Sequence, residues 1–267
     1  MASSPLPPVL SRRLNEVHLA IVFLTRLPWV RADWSHPLMS AAWAFPLAGV
    51  LLGLACGAVA GAALAAGAAP LLAAALAVGA ATLFTGCLHE DGVGDTADGI
   101  GSGRDRARSL EILRDSRIGT YGVVAVVMTL GIRVAALTQL LQAAGPWWAG
   151  ALPAWVLAAA LGRGAGPLFT RLCDPARGDG VGAGAGRPDG AGVAVALALP
   201  LLGGLLLGAG RDQGAATLLG LLAALGPLVW LAGLARRRLG GYTGDVIGAA
   251  ILIVECTALA LLAAVWA

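Results

Sequence analysis

Seven of the chain's 15 acidic residues (Glu90, Asp91, Asp95, Asp98, Asp105, Glu111 and Asp115) fall within residues 89–122, between long Ala/Leu/Val/Gly runs that carry almost no charge. Five arginines (Arg104, Arg106, Arg108, Arg114 and Arg117) fall in the same stretch. If a helix continues the preceding apolar run through 89–99, Asp91, Asp95 and Asp98 stand at i, i+4 and i+7, within roughly 60° of one another on one face. Like charges so placed repel unless they are protonated or bridged by a cation. Hard carboxylate oxygens suit Mg²⁺ or Mn²⁺, and Mg²⁺ characteristically takes one or two carboxylates together with substrate phosphates. Gly92, Gly94 and Gly99 leave room for a bulky ligand to approach. His89 opens the stretch, where it could serve as base or ligand. Arg114-Asp115-Ser116-Arg117 alternates charge before Gly119 and Gly122. Its arginines suit phosphate oxygens, and Asp115 could be a further metal ligand or an arginine's orienter. Acids, arginines and a membrane scaffold together point to phosphoryl transfer on a pyrophosphate-linked substrate.

Two further segments could complete such a site. Residues 171–191 are Gly-rich with interleaved Arg and Asp; they read equally as a connector or as backbone N–H groups and Arg177 set around a phosphate. The run Gly240-Gly241-Tyr242-Thr243-Gly244-Asp245 leads straight into the last apolar span. A helix starting there offers N–H groups to an anion, and Asp245 could ligate a cation or merely cap the helix. Arg133, Arg163 and Glu255 lie inside apolar spans, where an ionised side chain needs a partner and faces the bundle interior.

The elements that must hold these residues follow from composition. Of 267 residues, 58% are hydrophobic and 12% charged, about half the charge of a soluble domain, and this predicts an integral membrane protein. With 39 glycines and still more alanines, close-packed helices are expected. All 18 basic residues are arginine, so lysine nucleophiles and Schiff bases are excluded, and the net charge of +3 is too small to imply nucleic acid. Cys56, Cys87, Cys173 and Cys256 are scattered, against a zinc or disulfide scaffold. Residues 1–10 lack the charged start and apolar core of a signal peptide. An all-α fold is expected: an N-terminal interfacial helix within 11–30, ended by Pro28, then about seven spans near 41–64, 68–88, 121–143, 148–170, 192–210, 214–234 and 246–266. Trp29, Trp34 and Trp43 suit one headgroup level and Trp147 and Trp148 the other. Fifteen arginines fall on one side of this layout against Arg211 alone on the other. That bias places residues 1–40 and the functional loops 89–120, 171–191 and 235–245 of a single membrane domain on the cytoplasmic face.

The sequence resembles the adenosylcobinamide-GDP ribazoletransferase (cobalamin synthase) family in four ordered blocks. These are Phe23-Leu24-Thr25-Arg26-Leu27-Pro28; His89-x-Asp91-Gly92-x-x-Asp95-x-x-Asp98-Gly99; Leu110-Glu111-Ile112-x-x-Asp115-Ser116-Arg117-x-Gly119-x-x-Gly122; and Gly240-Gly241-x-Thr243-Gly244-Asp245-x-x-Gly248-Ala249. Arg114 departs from the family's usual lysine, keeping the charge and changing its geometry. The resemblance implies a Mg²⁺-dependent inner-membrane enzyme. It would join adenosylcobinamide-GDP to α-ribazole, or its 5′-phosphate, giving adenosylcobalamin or its 5′-phosphate and GMP. On that reading Asp91, Asp95, Asp98, Asp115 and Asp245 are candidate metal ligands, and His89, Asp95 and Arg117 candidate catalytic residues. Arg26, Arg114, Ser116, Arg177, Thr243 and Gly244 are candidates for substrate contact. The bilayer is a partner, and homo-oligomer formation is left open.

Two rival readings are weaker. A CDP-alcohol phosphotransferase motif opens Asp-Gly-x-x-Ala-Arg, whereas here Asp95 takes the alanine's place and no arginine follows. A transporter built on Arg133, Arg163 and Glu255 would show internal repeats, and none is evident.

Overall fold

A computed structural model describes residues 7–27, 30–103, 105–179 and 184–267; Pro28, Trp29 and Arg104 lie outside these. The described residues form helices α1 (Pro8–Leu24), α2 (Phe45–Ala65), α3 (Pro70–Thr85), α4 (Leu88–Gly101), α5 (Arg106–Ile112) and α6 (Thr120–Gln142). They continue as α7 (Ala151–Leu172), α8 (Gly190–Ala209), α9 (Gly214–Ala223), α10 (Gly226–Leu239) and α11 (Gly244–Trp266), with a 3₁₀ helix over Leu38–Ala44 leading into α2. Each of the seven expected spans is mainly helical, the one near 214–234 being divided at 224–225 into α9 and α10. Five segments are long and apolar enough to cross a bilayer: 38–65, 120–142, 190–209, 214–239 and 244–266, with α3 and α4 a sixth if that bent pair is one span. The chain is therefore an all-α, multi-pass membrane protein. Its central helix is α7, 22 residues long and buried along most of its length against α2, α8 and α11.

The carboxylate segment differs from its expected form. It does not continue the second span, because Gly86 and Cys87 both take left-handed backbone (φ 65° and 60°) and α4 leaves α3 at 87°. Gly86 adopts this conformation at no steric cost and closes α3 through its N–H on Leu83 O. Nor is 89–120 a loop, since α4 and α5 occupy most of it. The loop expected at 235–245 shrinks to four residues, 240–243, between α10 and α11. Gly240 (φ 74°) ends α10.

Small residues set how closely the helices approach. A Cβ on Gly162 of α7 would lie 2.8 Å from Ile251 O of α11, and one on Gly92 of α4 would lie 2.6 Å from Asp245 O. Gly49 of α2 likewise meets the Ala159 carbonyl of α7. Without a hydrophobic force between helices in lipid, such backbone proximity supplies much of the packing energy.

At the centre of this bundle four ionisable side chains form one chain of ion pairs. Arg133 of α6 donates to Glu90 Oε1 of α4 at 2.8 Å and lies 3.1 Å from Glu255 Oε1 of α11, while Glu255 Oε2 takes Arg163 of α7. Thr82 of α3 also donates to Glu90, at 3.1 Å. Arg133, Arg163 and Glu255 are each at most 2% exposed. The quartet is neutral and ties four helices together. The arginines and Glu255 were expected to need partners; Glu90 is the partner that the sequence pattern did not single out.

Replacing Glu255 with alanine strands Arg163, leaves Arg133 with Glu90 alone, and should cost about 3–5 kcal/mol. A thermal-unfolding series in detergent checks this, and an unchanged melting temperature would show that the quartet contributes little.

Candidate active site

Three short stretches meet at one end of the bundle: the start of α4, the start of α11, and the segment after α7. Together with Phe23, Met39 and Phe45 from the N-terminal region they line a cavity of about 250 Å³. Its polar wall is His89, Asp91, Arg177, Asp179, Thr243 and Asp245, and its opposite wall is apolar.

Each polar group is held for a local reason. Asp91 sits in the first turn of α4, where the positive end of the helix favours a carboxylate. His89 is 1% exposed, and neither ring nitrogen has a partner among the described residues. Thr243 is the N-cap of α11, but its hydroxyl donates to Asp245 Oδ2 at 3.0 Å. Gly244 lines the cavity beside it. A buried polar atom without a partner costs on the order of 1–3 kcal/mol, so the two His89 nitrogens and the buried, unpaired Arg177 Nη1 stand ready for a ligand or water. Among the described residues the acid that Arg177 pairs with is Asp179, Nε to Oδ1 at 3.7 Å.

Asp95 stands one turn beyond Asp91, half-buried on α4. At 14 residues α4 is too short to cross the bilayer by itself. Burial, then the charges of Asp91, Asp245 and Asp98, push its carboxyl up to about 7. Asp98 has a different occupation. Its Oδ2 accepts the Gly119 N–H at 2.6 Å and its Oδ1 the Gly122 N–H at 2.9 Å, so it caps the start of α6. Among the described residues no group of three or more His, Cys, Asp and Glu side chains closes around one point.

The other expected site residues stand apart from the cavity. Asp115 accepts from the Arg117 backbone and guanidinium, the latter at 2.6 Å from Oδ2. That pairing, opposed by slight desolvation, holds Asp115 down at about 2. Arg117 is 86% exposed, and Ser116 beside it is exposed as well. Arg114 donates to Asp179 Oδ2 at 2.6 Å, so it touches the cavity wall through an acid rather than directly. Arg26 is exposed and lies over Gly86, its N–H on Phe84 O at 2.8 Å, where it fastens the α1 end to the α3–α4 break.

Two contributors were not foreseen. Pro175 and Tyr242 form an isolated parallel bridge, with Ala176 N–H on Tyr242 O (2.8 Å) and Tyr242 N–H on Asp174 O (2.9 Å). Arg106 of α5 then spans the same junction, donating from Nε to Leu239 O at 2.7 Å and from Nη2 to Ala176 O at 2.8 Å. These contacts fix Arg177 relative to Asp245. Nothing in local spacing marks them, because both acceptors are backbone carbonyls far along the chain.

Acids, an imidazole and an arginine thus gather at one end of a polytopic helical bundle, which defines a membrane-embedded protein with a charged pocket. The family model for cobalamin-5-phosphate synthase matches residues 16–263. The adenosylcobinamide-GDP ribazoletransferase of Mesorhizobium japonicum is 43% identical over 254 residues, covering 92% of this chain and 94% of that protein. Proteins of the same name from Bradyrhizobium diazoefficiens (43% identical, covering 88% of each chain) and Azorhizobium caulinodans (44%, covering 90% and 91%) agree. The chain belongs to the cobalamin-5-phosphate synthase family. No solved structure matches it.

Removing the Arg106 strap should loosen both loops. Arg106→Ala is expected to speed amide exchange in 174–179 and 240–243 by about tenfold or more, as two charge-assisted bonds are lost. Unchanged protection measured by hydrogen–deuterium exchange would show that the Pro175–Tyr242 bridge suffices alone.

Proposed function

We propose that this chain is an adenosylcobinamide-GDP ribazoletransferase, joining adenosylcobinamide-GDP to α-ribazole or its 5′-phosphate with release of GMP. Family membership and the relatives' names support the transferase reading. The observation that carries the chemistry is the meeting of His89, Asp91, Arg177 and Asp245 in one cavity, with the His89 nitrogens and Arg177 Nη1 without a partner among the described residues.

The donor set suits magnesium. Asp91 and Asp245 offer hard oxygens in the same cavity, and the like charges acting on Asp95 are those a divalent cation would relieve. Two carboxylates and substrate phosphates, rather than a closed cage of acids, are the usual surroundings of Mg²⁺. Asp91 and Asp245 would hold the ion, which when bound would neutralise charge building on the pyrophosphate. Asp98 is a positioning residue for α6.

The remaining steps belong to the protein. Arg177 Nη1 binds a phosphate oxygen, and the amides at the start of α11 add a weaker positive field. The ribazole hydroxyl oxygen attacks the phosphorus on the cobinamide side. A new P–O bond forms, the P–O bond to GMP breaks, and the electron pair leaves with GMP. His89 takes the hydroxyl proton on a ring nitrogen, its burial shielding the step from bulk water. Arg114, held at the cavity wall by Asp179, balances charge on the departing nucleotide. At about 250 Å³ the cavity is smaller than the roughly 300–1,000 Å³ of pockets that engulf whole ligands, so it takes the pyrophosphate region while the corrinoid and guanosine stay outside. The fifteen-to-one arginine bias supports a cytoplasmic active face in the inner membrane.

Asp91→Asn and Asp95→Asn should each lower turnover by about 10² or more while leaving membrane insertion intact. A near-normal rate at saturating Mg²⁺ in Asp91→Asn would sink the metal assignment, and one in Asp95→Asn would show that Asp95 plays no part in the site. A transporter is the contrasting class, yet the buried charges it would use pair with one another. Purified protein in detergent, given both substrates and Mg²⁺, should therefore release GMP; product seen only in sealed vesicles would refute the enzyme.

A further inference from the structure

A second cavity, of about 570 Å³, opens between α1, the 3₁₀ helix and the start of α8. Arg12, Arg13 and Arg187 line it, and their side chains are 57–61% exposed. Glu16, buried in its wall, anchors the first two: it accepts from Arg12 Nε at 3.1 Å, Arg13 Nη1 at 2.8 Å and Trp43 Nε1 at 2.6 Å. Trp43, expected at the headgroup level, is thus turned toward Glu16. Burial alone would raise the Glu16 carboxyl, but these hydrogen bonds outweigh it and hold the group ionised. Asp189, the other acid in the lining, accepts the Gly192 N–H at 2.7 Å. Three arginines against Glu16 and Asp189 give the lining one net positive charge; Asp174, outside it, stands 3.5 Å from Arg187 with both side chains exposed, a pair worth little that a phosphate would displace. The Ser40 hydroxyl, buried in the same wall, has no partner among the described residues.

The cavity continues into an apolar track. Val195 lines it and is 43% exposed; Leu199, Leu202 and Leu206 follow on α8 at 47%, 58% and 73%. At steps of four, three and four these residues share one face. They run about 16 Å along the helix, close to one leaflet of a hydrocarbon core about 30 Å thick. α8 is one of the spanning helices, so this face meets lipid.

We propose that this cavity binds the headgroup of an anionic phospholipid, its phosphate on Arg12, Arg13, Arg187 and Ser40 and one acyl chain along the Val195–Leu206 face. A single net positive charge complements a headgroup such as phosphatidylglycerol, which carries one negative charge. A zwitterionic lipid brings its own cation and gains nothing from the arginines. Cavity and track adjoin at Val195, a junction that a soluble phosphate would not use.

Native mass spectrometry of the delipidated full-length protein, titrated with phosphatidylglycerol or phosphatidylcholine, tests this. Wild type should retain one phosphatidylglycerol in preference to phosphatidylcholine by about tenfold. Arg187→Gln, which leaves the Glu16 cage intact, should weaken phosphatidylglycerol about fivefold. Leu199→Asn/Leu202→Asn should also weaken it without touching the basic wall. Arg211→Gln, at the far end of α8 where Arg211 stacks on Trp266, should bind as wild type. Equal retention of the two lipids, or undiminished binding by Arg187→Gln, overturns the proposal. Inorganic phosphate is the second probe. If it raises the melting temperature through Arg187 and phosphatidylglycerol does not, the site takes a soluble anion and the lipid assignment is wrong.

Discussion

The burial of two arginines and two glutamates among four helices is the constraint on which the rest of this structure depends. In an apolar interior a lone ion is prohibitive and a pair is tolerable only with good geometry and further hydrogen bonds. Arg133 and Arg163 meet this condition through Glu255 between them, and Glu90 with Thr82 completes the chain of contacts. The consequence is positional. Glu90 belongs to the same turn of α4 as His89 and Asp91, so whatever fixes Glu90 also fixes the acid and imidazole that line the cavity. Stability and site geometry are thus joined through adjacent residues, one side chain turned into the bundle and its neighbours toward the pocket.

The second determinant is the closeness of backbones. Gly92 lets α4 approach α11 until a single methyl group would collide with the Asp245 carbonyl. That proximity brings Asp91 and Asp245, distant in sequence, into one wall. The Pro175–Tyr242 bridge and the Arg106 strap do the same for Arg177. Rigid backbone contacts of this kind suit a site that must hold a polyanion in one orientation, because the energy of positioning is met during folding and not on each turnover.

Much of this was legible in the residues. The all-α membrane class followed from composition, and each apolar run became a helix. The unusual charge density of 89–122 drew attention to the start of α4, where His89 and Asp91 line the cavity, and Arg133, Arg163 and Glu255 were visible as ions in need of partners. What remained hidden was tertiary. Helical spacing puts Asp98 in register with Asp91 and Asp95, but it cannot say that α6 will present two amides to Asp98. The Gly86–Cys87 break was masked because Cys87 is an unusual residue to hold left-handed backbone, and the apolar pattern runs through it. Asp115, Ser116 and Arg117 looked like site residues by type, whereas Asp115 and Arg117 satisfy each other on the surface, two positions apart.

The ion-pair chain also has a history, since a polypeptide enters the membrane from its first span to its last. Glu90 precedes Arg133, so that pair is complete once α6 is made. Arg163 comes next, and its carboxylate, Glu255, lies in the final helix. Through the synthesis of α8, α9 and α10 a buried arginine therefore waits for its counter-charge, and the bundle core cannot close until α11 arrives. The same helix brings Asp245 to the cavity. A chain that lacks α11 therefore has both an unmatched arginine among its helices and a pocket without Asp245.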